Sequence, residues 1–395
     1  MIGLEVIFWL CCALIVWTQI GYAAALAVLA RVLSPAGGSQ RERTRRSPDR
    51  DGAPKEQTLP FLSLIVAAHN EESVIAAKVA NALALDYPRE LLEVIVACDG
   101  CGDATAAHAR EAGADLVLEL VRGGKIRAQD AAVERSRGEI VAFSDANALW
   151  EPDAARTLVE AFADPGVGYA CGQVRFVQAA SGAQASNQEG VYWRYEMVVR
   201  SLESRLSSIT AGNGAIYATR RDSYIVVDPI MGHDLSLPFN IVKRGKRAVY
   251  VPAARASEKM VPSLTGEFER KRRMMSHTWP ILLRGGILSP RGYTPGYAAM
   301  IFSHRLLRYL TPFLHTFALA ANIVLVAHGA GSLYTVTLAL QLILLAAAGL
   351  GGVIRLRPLL IARYYVLTTA SSALGLRDWL RHGTDAAWEV SDGTR

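Results

Sequence analysis

The sequence predicts an α/β fold, with a Rossmann-like, mostly parallel sheet in a central domain flanked by transmembrane helices. Three observations support this prediction. Of the 395 residues 51% are hydrophobic, and Leu, Ala, Ile and Val are concentrated at the two ends of the chain. Strand-like and helix-like segments alternate in the centre, as in parallel sheets with crossover helices. Basic residues cluster beside the apolar ends, as they do on the cytoplasmic side of membrane proteins.

The first predicted element is a transmembrane helix within residues 1–33. Residues Ile7 to Leu29 are nearly all apolar, and a run of this length crosses a hydrocarbon core of about 30 Å. The segment has neither the positive start nor the short core of a signal peptide. The basic run Arg41–Arg46 follows it, so the positive-inside rule places the chain after Arg31 in the cytoplasm. Residues 34–60, rich in Arg, Pro and Gly, are predicted to form a basic flexible linker.

A soluble α/β domain is predicted for residues 61–285, and it begins with four strands separated by helices. Short apolar runs and helical spacings alternate in this part of the chain. The predicted strands are Leu62–Ala68, Leu92–Ala97, Asp115–Leu120 and Glu139–Ser144, and the helices are Glu72–Leu85, Ala104–Ala112 and Ile126–Arg137. Ligands bind beyond the carboxyl ends of parallel strands. The polar groups after Val96, Leu120 and Phe143 should therefore line one crevice.

Residues 286–395 are predicted to return to the membrane as interfacial and transmembrane helices. Ser303–Arg308 is predicted to be an interfacial helix with its basic face at the lipid headgroups. Tyr309–Ala327 and Leu333–Ile354 are long and apolar enough to span the bilayer. Leu359–Leu376 is short, contains an arginine and is followed by two more. We interpret it as interfacial or re-entrant, which keeps the C-terminus inside.

Charge and cysteine content exclude several other classes of protein. The net charge is +6, but the basic residues lie next to apolar segments, which favours anionic lipid over nucleic acid as a partner. Five cysteines include a single C-x-x-C at Cys98 and Cys101. A zinc site usually needs a second ligand pair, which the sequence lacks. Reduced thiols in a cytosolic setting are the favoured interpretation, and a redox role for this pair is the weakest hypothesis.

Polar residues follow three of the predicted strands. Asp99 comes after the second strand, beside Gly100 and Gly102, and so places a carboxylate at the mouth of the sheet. Asp103 is positioned to cap the next helix. Gly123–Lys125 follows the third strand and offers a flexible basic group to a diphosphate. Asp145 and Asn147 follow the fourth strand, and alternation points both side chains the same way. Their oxygens can reach one hard divalent cation.

The order of these motifs resembles glycosyltransferase family 2, which has the GT-A fold, over residues Phe61 to about Trp279. The resemblance to cellulose- and hyaluronan-type synthases is more distant. The matching elements are the first strand with Asn70-Glu71-Glu72, the turn Asp99–Thr105, Gly124-Lys125, the fourth strand with Asp145-Ala146-Asn147, Gly212–Arg221, Gly232–Pro238 and Glu267–Arg273. Several ordered motifs make the match specific for the family, but they do not identify the sugar.

The resemblance implies a role for each matching position. Asp234 lies in the slot of the family's general base, which removes a proton from the acceptor hydroxyl. Asp99 would contact the base of the nucleotide, Lys125 its phosphates, and Arg273 the diphosphate. The full set implied for donor binding is Glu71, Asp99, Lys125, Asp145, Arg270 and Arg273. The set implied for Mg²⁺ or Mn²⁺ is Asp145 and Asn147.

The resulting hypothesis is an inverting, metal-dependent glycosyltransferase (hexosyltransferase class) that uses a nucleotide-diphosphate sugar, with UDP-sugar favoured. Its acceptor would be lipid-linked or a membrane-proximal glycan, and its site the bacterial cytoplasmic (inner) membrane, where it is multi-pass with the catalytic domain in the cytoplasm. Asn147 replaces the second Asp of the family's Asp-x-Asp motif, and Arg270 and Met274 replace the Gln and Trp of the synthase motif. These departures favour single transfer over the alternative of a processive polysaccharide synthase. The alternative of another class is a non-catalytic membrane scaffold.

Overall fold

The computed structural model of the protein describes residues 1–33, 59–177, 186–259 and 264–386. The predicted linker at residues 34–60 lies outside the described residues except for Leu59 and Pro60. The first element is one long helix, α1, from Ile2 to Leu33, with a π-helical turn at Trp17–Gly21. It is longer at both ends than the apolar run that predicts it.

Within its described ranges the central domain contains one mixed sheet of eight strands. Their bounds are β1 Leu62–Ala68, β2 Leu92–Asp99, β3 Leu116–Leu120, β4 Ile140–Asp145, β5 Leu149–Trp150, β6 Val167–Val177, β7 Tyr217–Arg220 and β8 Arg247–Lys259. Their order across the sheet is β3-β2-β1-β4-β7-β6-β8-β5. The first four strands pair in parallel, while β7 runs antiparallel to β4 and to β6. The predicted mostly parallel α/β domain is confirmed.

Ten further helices surround the sheet or extend from it in the described part of the chain. They are α2 Ile75–Leu83, α3 Thr105–Glu111, α4 Lys125–Arg135, α5 Ala154–Glu160, α6 Ser186–Leu206, α7 His233–Lys243, α8 Leu264–Leu283, α9 Pro295–Ala327, α10 Ser332–Leu350 and α11 Arg357–His382. The helices predicted between the first four strands are all present, with ends that differ by a few residues.

The sheet lies between two apolar cores because successive strand residues point to opposite faces. Leu64 packs into the core that contains Trp150 and Leu158, whereas its neighbour Ile65 packs with Phe143 and residues of α7 and β7. All residues of β1 and β2 are buried, as expected for parallel strands covered by helices on both faces. This explains why their sequences are continuous apolar runs.

Among the residues that the structure describes, four helices are long and apolar enough to cross a membrane: α1, α9, α10 and α11. The N-terminal half of α1 packs along α9, with Phe8 and Leu325 in one buried cluster. Trp9 Nε1 also donates to Tyr334 of α10 at 3.2 Å. The last helix, at 26 residues, is longer than the segment Leu359–Leu376 that we predict to be interfacial. Its composition alone is compatible with a span.

The prediction for Ser303–Arg308 is wrong. These residues form no separate interfacial helix; they lie within α9, around a π-helical segment from Ile301 to Leu306. Ser303, His304 and Arg305 are buried, and Arg308 forms an ion pair with Glu196 of α6. A cation enters a protein interior only with a partner, and the sequence does not reveal that α6 supplies buried carboxylates here.

Candidate functional site

The carboxyl edge of the parallel strands forms the candidate active site, and Asp99 organises its first part. Asp99 is the last residue of β2 and is 1% exposed. Its Oδ1 accepts from the Gly123 amide at 2.6 Å and its Oδ2 from the Gly124 amide at 3.0 Å. Gly124 has φ +94°, a conformation that favours glycine. Asp99 therefore fixes the glycine loop that leads into α4, a contact that the implied role of binding a nucleotide base does not include.

Lys125 and Asp145 form an ion pair across two strand ends. Lys125 is the first residue of α4 and Asp145 the last of β4. Burial lowers the pKa of Lys125, but the nearby carboxylates, Asp145 first and then Asp234 and Glu258, together raise it above its usual value. This favours the charged form of Lys125, held where the sequence predicts a phosphate-binding cation.

The loop before β7 reaches the same ion pair. A Cβ added at Gly214 would lie 3.3 Å from Lys125 Nζ and 3.9 Å from Asp145 Oδ2. Two residues earlier, the Gly212 amide donates to the backbone carbonyl of Asp234 at 2.7 Å. Asp234 lies in the first turn of α7 and is partly buried. The structure thus brings the three predicted groups Lys125, Asp145 and Asp234 together through one short segment of backbone.

His233, beside Asp234, is buried and neutral. Its Nδ1 lies 2.9 Å from the Tyr217 hydroxyl and its Nε2 3.4 Å from the Tyr224 hydroxyl. Burial, aided by the charge of Lys125, lowers the pKa of His233 to about 3. The side chain anchors the start of α7 in an aromatic cluster with Phe143 and Tyr224.

A cavity of about 440 Å³ adjoins the glycine loop. Its lining residues come from the loop after β3, from α8 and from the segment after α11: Arg122, Arg273, Ser276, His277, Gly383, Thr384 and Asp385. Arg273 thus faces this space, as implied for a diphosphate contact. Arg270, one turn earlier on α8, is not among the described residues that line it. Glu71 is buried below the crevice, where its amide donates to Thr105 Oγ1 at 2.7 Å.

Two parts of the site were not predicted. His277 lies one turn after Arg273 on α8; burial and Arg273 lower its pKa, while the nearby Asp234 and Asp385 oppose this. The sequence could have indicated His277, because a residue four positions after Arg273 lies on the same face of a helix. The segment after α11 is the second part. Thr384 Oγ1 donates to the Ser276 carbonyl at 2.9 Å, and a Cβ at Gly124 would lie 2.1 Å from the Ala386 carbonyl oxygen. Nothing in the local sequence indicates this contact.

The site offers few metal ligands, but their number suits a metal that binds together with substrate phosphates. Asp145 ends β4, and Asn147 lies in the turn before β5. Within the described ranges, no group of three or more His, Cys, Asp or Glu side chains is arranged to hold a metal ion. Mg²⁺ commonly binds one or two protein oxygens together with substrate phosphates and water. The two oxygen donors fit that mode and do not make a preformed metal cage.

Comparison with known proteins yields a consistent set of relatives. The profile described as Glycosyltransferase like family 2 matches residues 60–276. An N-acetylglucosaminyltransferase of Rhizobium sp. (strain N33) is 26% identical over 230 residues, which is 54% of this chain and 51% of that protein. A beta-monoglucosyldiacylglycerol synthase of Trichormus variabilis is 33% identical over 153 residues, 37% of this chain and 31% of that protein. The chain thus spans about half the length or less of these curated relatives.

A solved structure resembles most of the chain. Mannosyltransferase PcManGT from Pyrobaculum calidifontis, determined in complex with GDP-Man and Mn²⁺, covers 93% of this chain and is itself covered to 98%. The TM-score is 0.63 at 22% sequence identity. At this identity the likeness bears on the fold, and it includes the helices at both ends of the chain.

Proposed function

The chain belongs to the Glycosyltransferase like family 2, and we propose that it transfers a single sugar from a nucleotide-diphosphate donor to a membrane-associated acceptor with inversion. The observation that carries the proposal is the meeting of Lys125, Asp145 and Asp234 at one edge of the sheet. A cation for the diphosphate, a carboxylate for a metal or ribose, and a second carboxylate for an acceptor proton are the groups that this reaction needs.

In the proposed reaction Asp234 acts as the general base. Its carboxylate accepts the proton of the acceptor hydroxyl as that oxygen forms a bond to the anomeric carbon. The bond from the anomeric carbon to the diphosphate oxygen breaks on the opposite face, so the configuration inverts. The leaving diphosphate takes the bonding electrons, and Lys125 and Arg273 stabilise the charge that develops on it.

Asp145 and Asn147 would hold the divalent cation, proposed as Mg²⁺ or Mn²⁺. When bound, such a cation neutralises charge on the diphosphate. The Lys125 ammonium group pairs with Asp145 in this structure. Arrival of the donor would give Lys125 a phosphate partner and leave the Asp145 oxygens for the cation.

The test of the proposed function is a screen of UDP- and GDP-sugars with the purified chain in lipid nanodiscs, followed by variants. Asp234→Asn should lower turnover about a hundredfold or more, while the affinity for the donor changes little. Asp153→Asn is a matched control, because Asp153 is an exposed acid just before α5, away from the crevice. Near-normal turnover in Asp234→Asn would remove Asp234 from the mechanism.

Two product measurements separate the proposal from its alternatives. NMR of the product formed early in the reaction shows whether the new bond has the opposite anomeric configuration to the donor. Chromatography of product length distinguishes one added sugar from a polymer. A ladder of long products would establish a processive synthase, and the absence of both transfer and donor hydrolysis would favour a scaffold.

We propose that the acceptor is lipid-linked and that the central domain lies on the cytoplasmic face. The four apolar helices and the resemblance to a protein named as a beta-monoglucosyldiacylglycerol synthase support this. Contacts of α11 support an interfacial position for that helix. The Tyr365 hydroxyl of α11 lies 2.7 Å from His315 Nε2, and His315 is about two turns beyond Arg308 on α9. Farther along α11, the Ser372 carbonyl accepts from Trp279 Nε1 of α8 at 2.8 Å. Both parts of α11 thus contact regions near the central domain.

Cysteine labelling from outside intact cells tests this topology in a background without native cysteines. Ser332→Cys, at the exposed start of α10, should react. Arg381→Cys near the end of α11 and Ser47→Cys after α1 should stay unlabelled. Labelling at residue 381 as well as at residue 332, with residue 47 unlabelled, would mean that α11 crosses the membrane. Labelling at residue 47 would overturn the orientation and with it the access to a cytosolic donor.

A further inference from the structure

A buried cluster of charged and polar side chains joins the membrane helices to the central domain. We call it the junction cluster. It comes from α1, α6, the segment after α6 and α9: Tyr22, Glu196, Glu203, Thr210, His304, Arg305 and Arg308. Two carboxylates face two guanidinium groups and an imidazole, so their charges have partners inside the protein. Neither the donor site nor the proposed reaction uses any of these groups.

Glu203 is the centre of the junction cluster and is 0% exposed. Its Oε1 accepts from the Tyr22 hydroxyl of α1 at 2.7 Å and lies 2.7 Å from His304 Nδ1 of α9. Its Oε2 accepts from the Thr210 amide at 3.0 Å. One carboxylate therefore contacts two membrane helices and the loop that leads toward the active site.

Thr210 is held from a second side as well. Its hydroxyl accepts from Arg305 Nε at 2.8 Å and lies 3.1 Å from Glu203 Oε2. The carbonyl of the preceding residue, Ile209, accepts from the Tyr297 hydroxyl of α9 at 3.0 Å. Residues 207–216 contain no helix or strand, so individual contacts determine where the loop lies. They include these bonds to α6 and α9 and two backbone bonds to the sheet, from the Ile209 amide to the Ala248 carbonyl at 2.9 Å and from the Gly172 amide to the Ile216 carbonyl at 3.0 Å.

The same loop reaches the candidate active site within four residues of Thr210. The Gly212 amide donates to the Asp234 carbonyl at 2.7 Å, and Asn213 Nδ2 donates to the Gly172 carbonyl at 2.6 Å. Gly214 lies against Lys125 and Asp145, as described above. A displacement at Thr210 is therefore transmitted to Asp234 and Lys125 with little chain between them to absorb it.

We propose that Glu203 is a positioning residue, which sets the placement of Asp234 and Lys125 through Thr210 and the loop at residues 207–216. The contacts to Tyr22 and His304 make this placement depend on the packing of α1 and α9 against the central domain. The inference rests on the proposed function for the identity of the groups that are positioned. It adds that catalytic geometry is coupled to the membrane helices.

The energetics of buried charge favour a positioning role over a purely stabilising one. Replacing a buried ion pair with well-packed apolar residues is often neutral or stabilising, because desolvation offsets the attraction between the charges. A fully paired polar network instead permits one arrangement of its members. A misplacement of about 1 Å in a reacting group can cost roughly a hundredfold in rate, so a specified loop position has a direct catalytic value.

The test compares Thr210→Val and Glu203→Gln with Tyr22→Phe in nanodiscs. Thr210→Val keeps the shape of the side chain and removes the hydroxyl contacts to Glu203 and Arg305. Thr311→Val is the matched control, because Thr311 is a buried threonine of α9 whose hydroxyl bonds only the Leu307 carbonyl among the described residues. We expect kcat to fall about tenfold or more in Thr210→Val and Glu203→Gln, and less in Tyr22→Phe. The fall in kcat should exceed any rise in the KM for the donor. The thermal midpoint should change little in Thr210→Val, whereas it should fall in Glu203→Gln, because that change leaves buried cations without their carboxylate.

Hydrogen exchange gives a readout that does not depend on activity. Peptides covering residues 207–216 should exchange faster in Thr210→Val than in Thr311→Val, while β1 peptides exchange equally. Unchanged exchange in this loop, or an equal fall of kcat in Thr311→Val, would overturn the inference. If the unmodified protein transfers no sugar from any donor, the proposed function fails, and the exchange result still decides whether Glu203 and Thr210 hold the loop.

Discussion

Asp99 offers the sharpest test of how the donor site is built. Both of its carboxylate oxygens accept backbone amides of the glycine loop, at 2.6 and 3.0 Å, and the side chain is 1% exposed. In Asp99→Asn one oxygen is replaced by an NH₂ group, which cannot accept a hydrogen bond and faces an amide N–H. The loop that begins α4 and carries Lys125 then loses one of its two anchors.

The expected size of the effect follows from the lost hydrogen bond. A hydrogen bond to a charged group contributes about 1.5–3 kcal/mol. If this energy is required to hold the loop in its binding position, affinity for a diphosphate falls by about 10- to 150-fold. Isothermal titration calorimetry with UDP, GDP and inorganic pyrophosphate, each with Mg²⁺, measures the change.

Pyrophosphate distinguishes the two roles of Asp99, because it has phosphates and no base. If Asp99 acts through the glycine loop, Asp99→Asn weakens binding of pyrophosphate and of the nucleotides alike. Asp103→Asn is the control: Asp103 lies on the same turn and accepts from the Thr105 and Glu72 amides at 3.0 and 3.1 Å, away from the glycine loop. Weaker nucleotide binding with unchanged pyrophosphate binding would refute the loop argument and leave a contact to the base as the role of Asp99.

Three further predictions concern other parts of the site. Gly124→Ala should lower donor affinity and thermal stability, because Gly124 has φ +94° and its added Cβ would lie 2.1 Å from the Ala386 carbonyl oxygen; Gly102→Ala, with open space and no such φ, should do neither in the same assays. Asp145→Ala should abolish the stimulation of donor binding by Mg²⁺ or Mn²⁺, whereas Asn147→Asp should tighten metal affinity; full activity of the unmodified protein in excess chelator would contradict a metal role. Folding lowers the pKa of His233 from 6.5 to about 3. As pH falls, the unfolded chain is therefore protonated at this residue before the folded protein is. The contribution of His233 to the free energy of unfolding is complete above pH 6.5 and is lost as pH falls toward 3. The thermal midpoint should therefore fall less between pH 8 and pH 5 in His233→Gln than in the unmodified protein, and equal slopes would show that His233 is not buried in neutral form.

Local sequence was sufficient for the parallel half of the sheet and for the groups at its edge. Leu62–Ala68 is predicted and observed as the same strand, because a strand buried on both faces must be an uninterrupted apolar run. Chain order then places Asp99, Lys125 and Asp145 at one edge, since parallel strands end on the same side. The length and apolar content of the first segment likewise predict the helix of α1.

Contacts between distant parts of the chain required the tertiary structure. The sequence predicts that Arg305 and Arg308 face lipid headgroups, because their partners lie far away along the chain. Arg308 pairs with Glu196 of α6, and the buried Arg305 donates to Thr210 in the loop after α6. The approach of Ala386 to Gly124 likewise has no local signal.

The elements, the parallel edge and the types of groups available there follow from the amino-acid sequence. The elements depend on periodicity and the edge on chain direction, which are local properties. The partner of each charged group, by contrast, depends on the folded structure. A carboxylate such as Asp99 has the same local sequence whether it contacts a nucleotide or two backbone amides. A buried carboxylate needs hydrogen-bond donors to offset its loss of water. Which donors lie within reach depends on how distant parts of the chain pack, and that is a property of the folded protein.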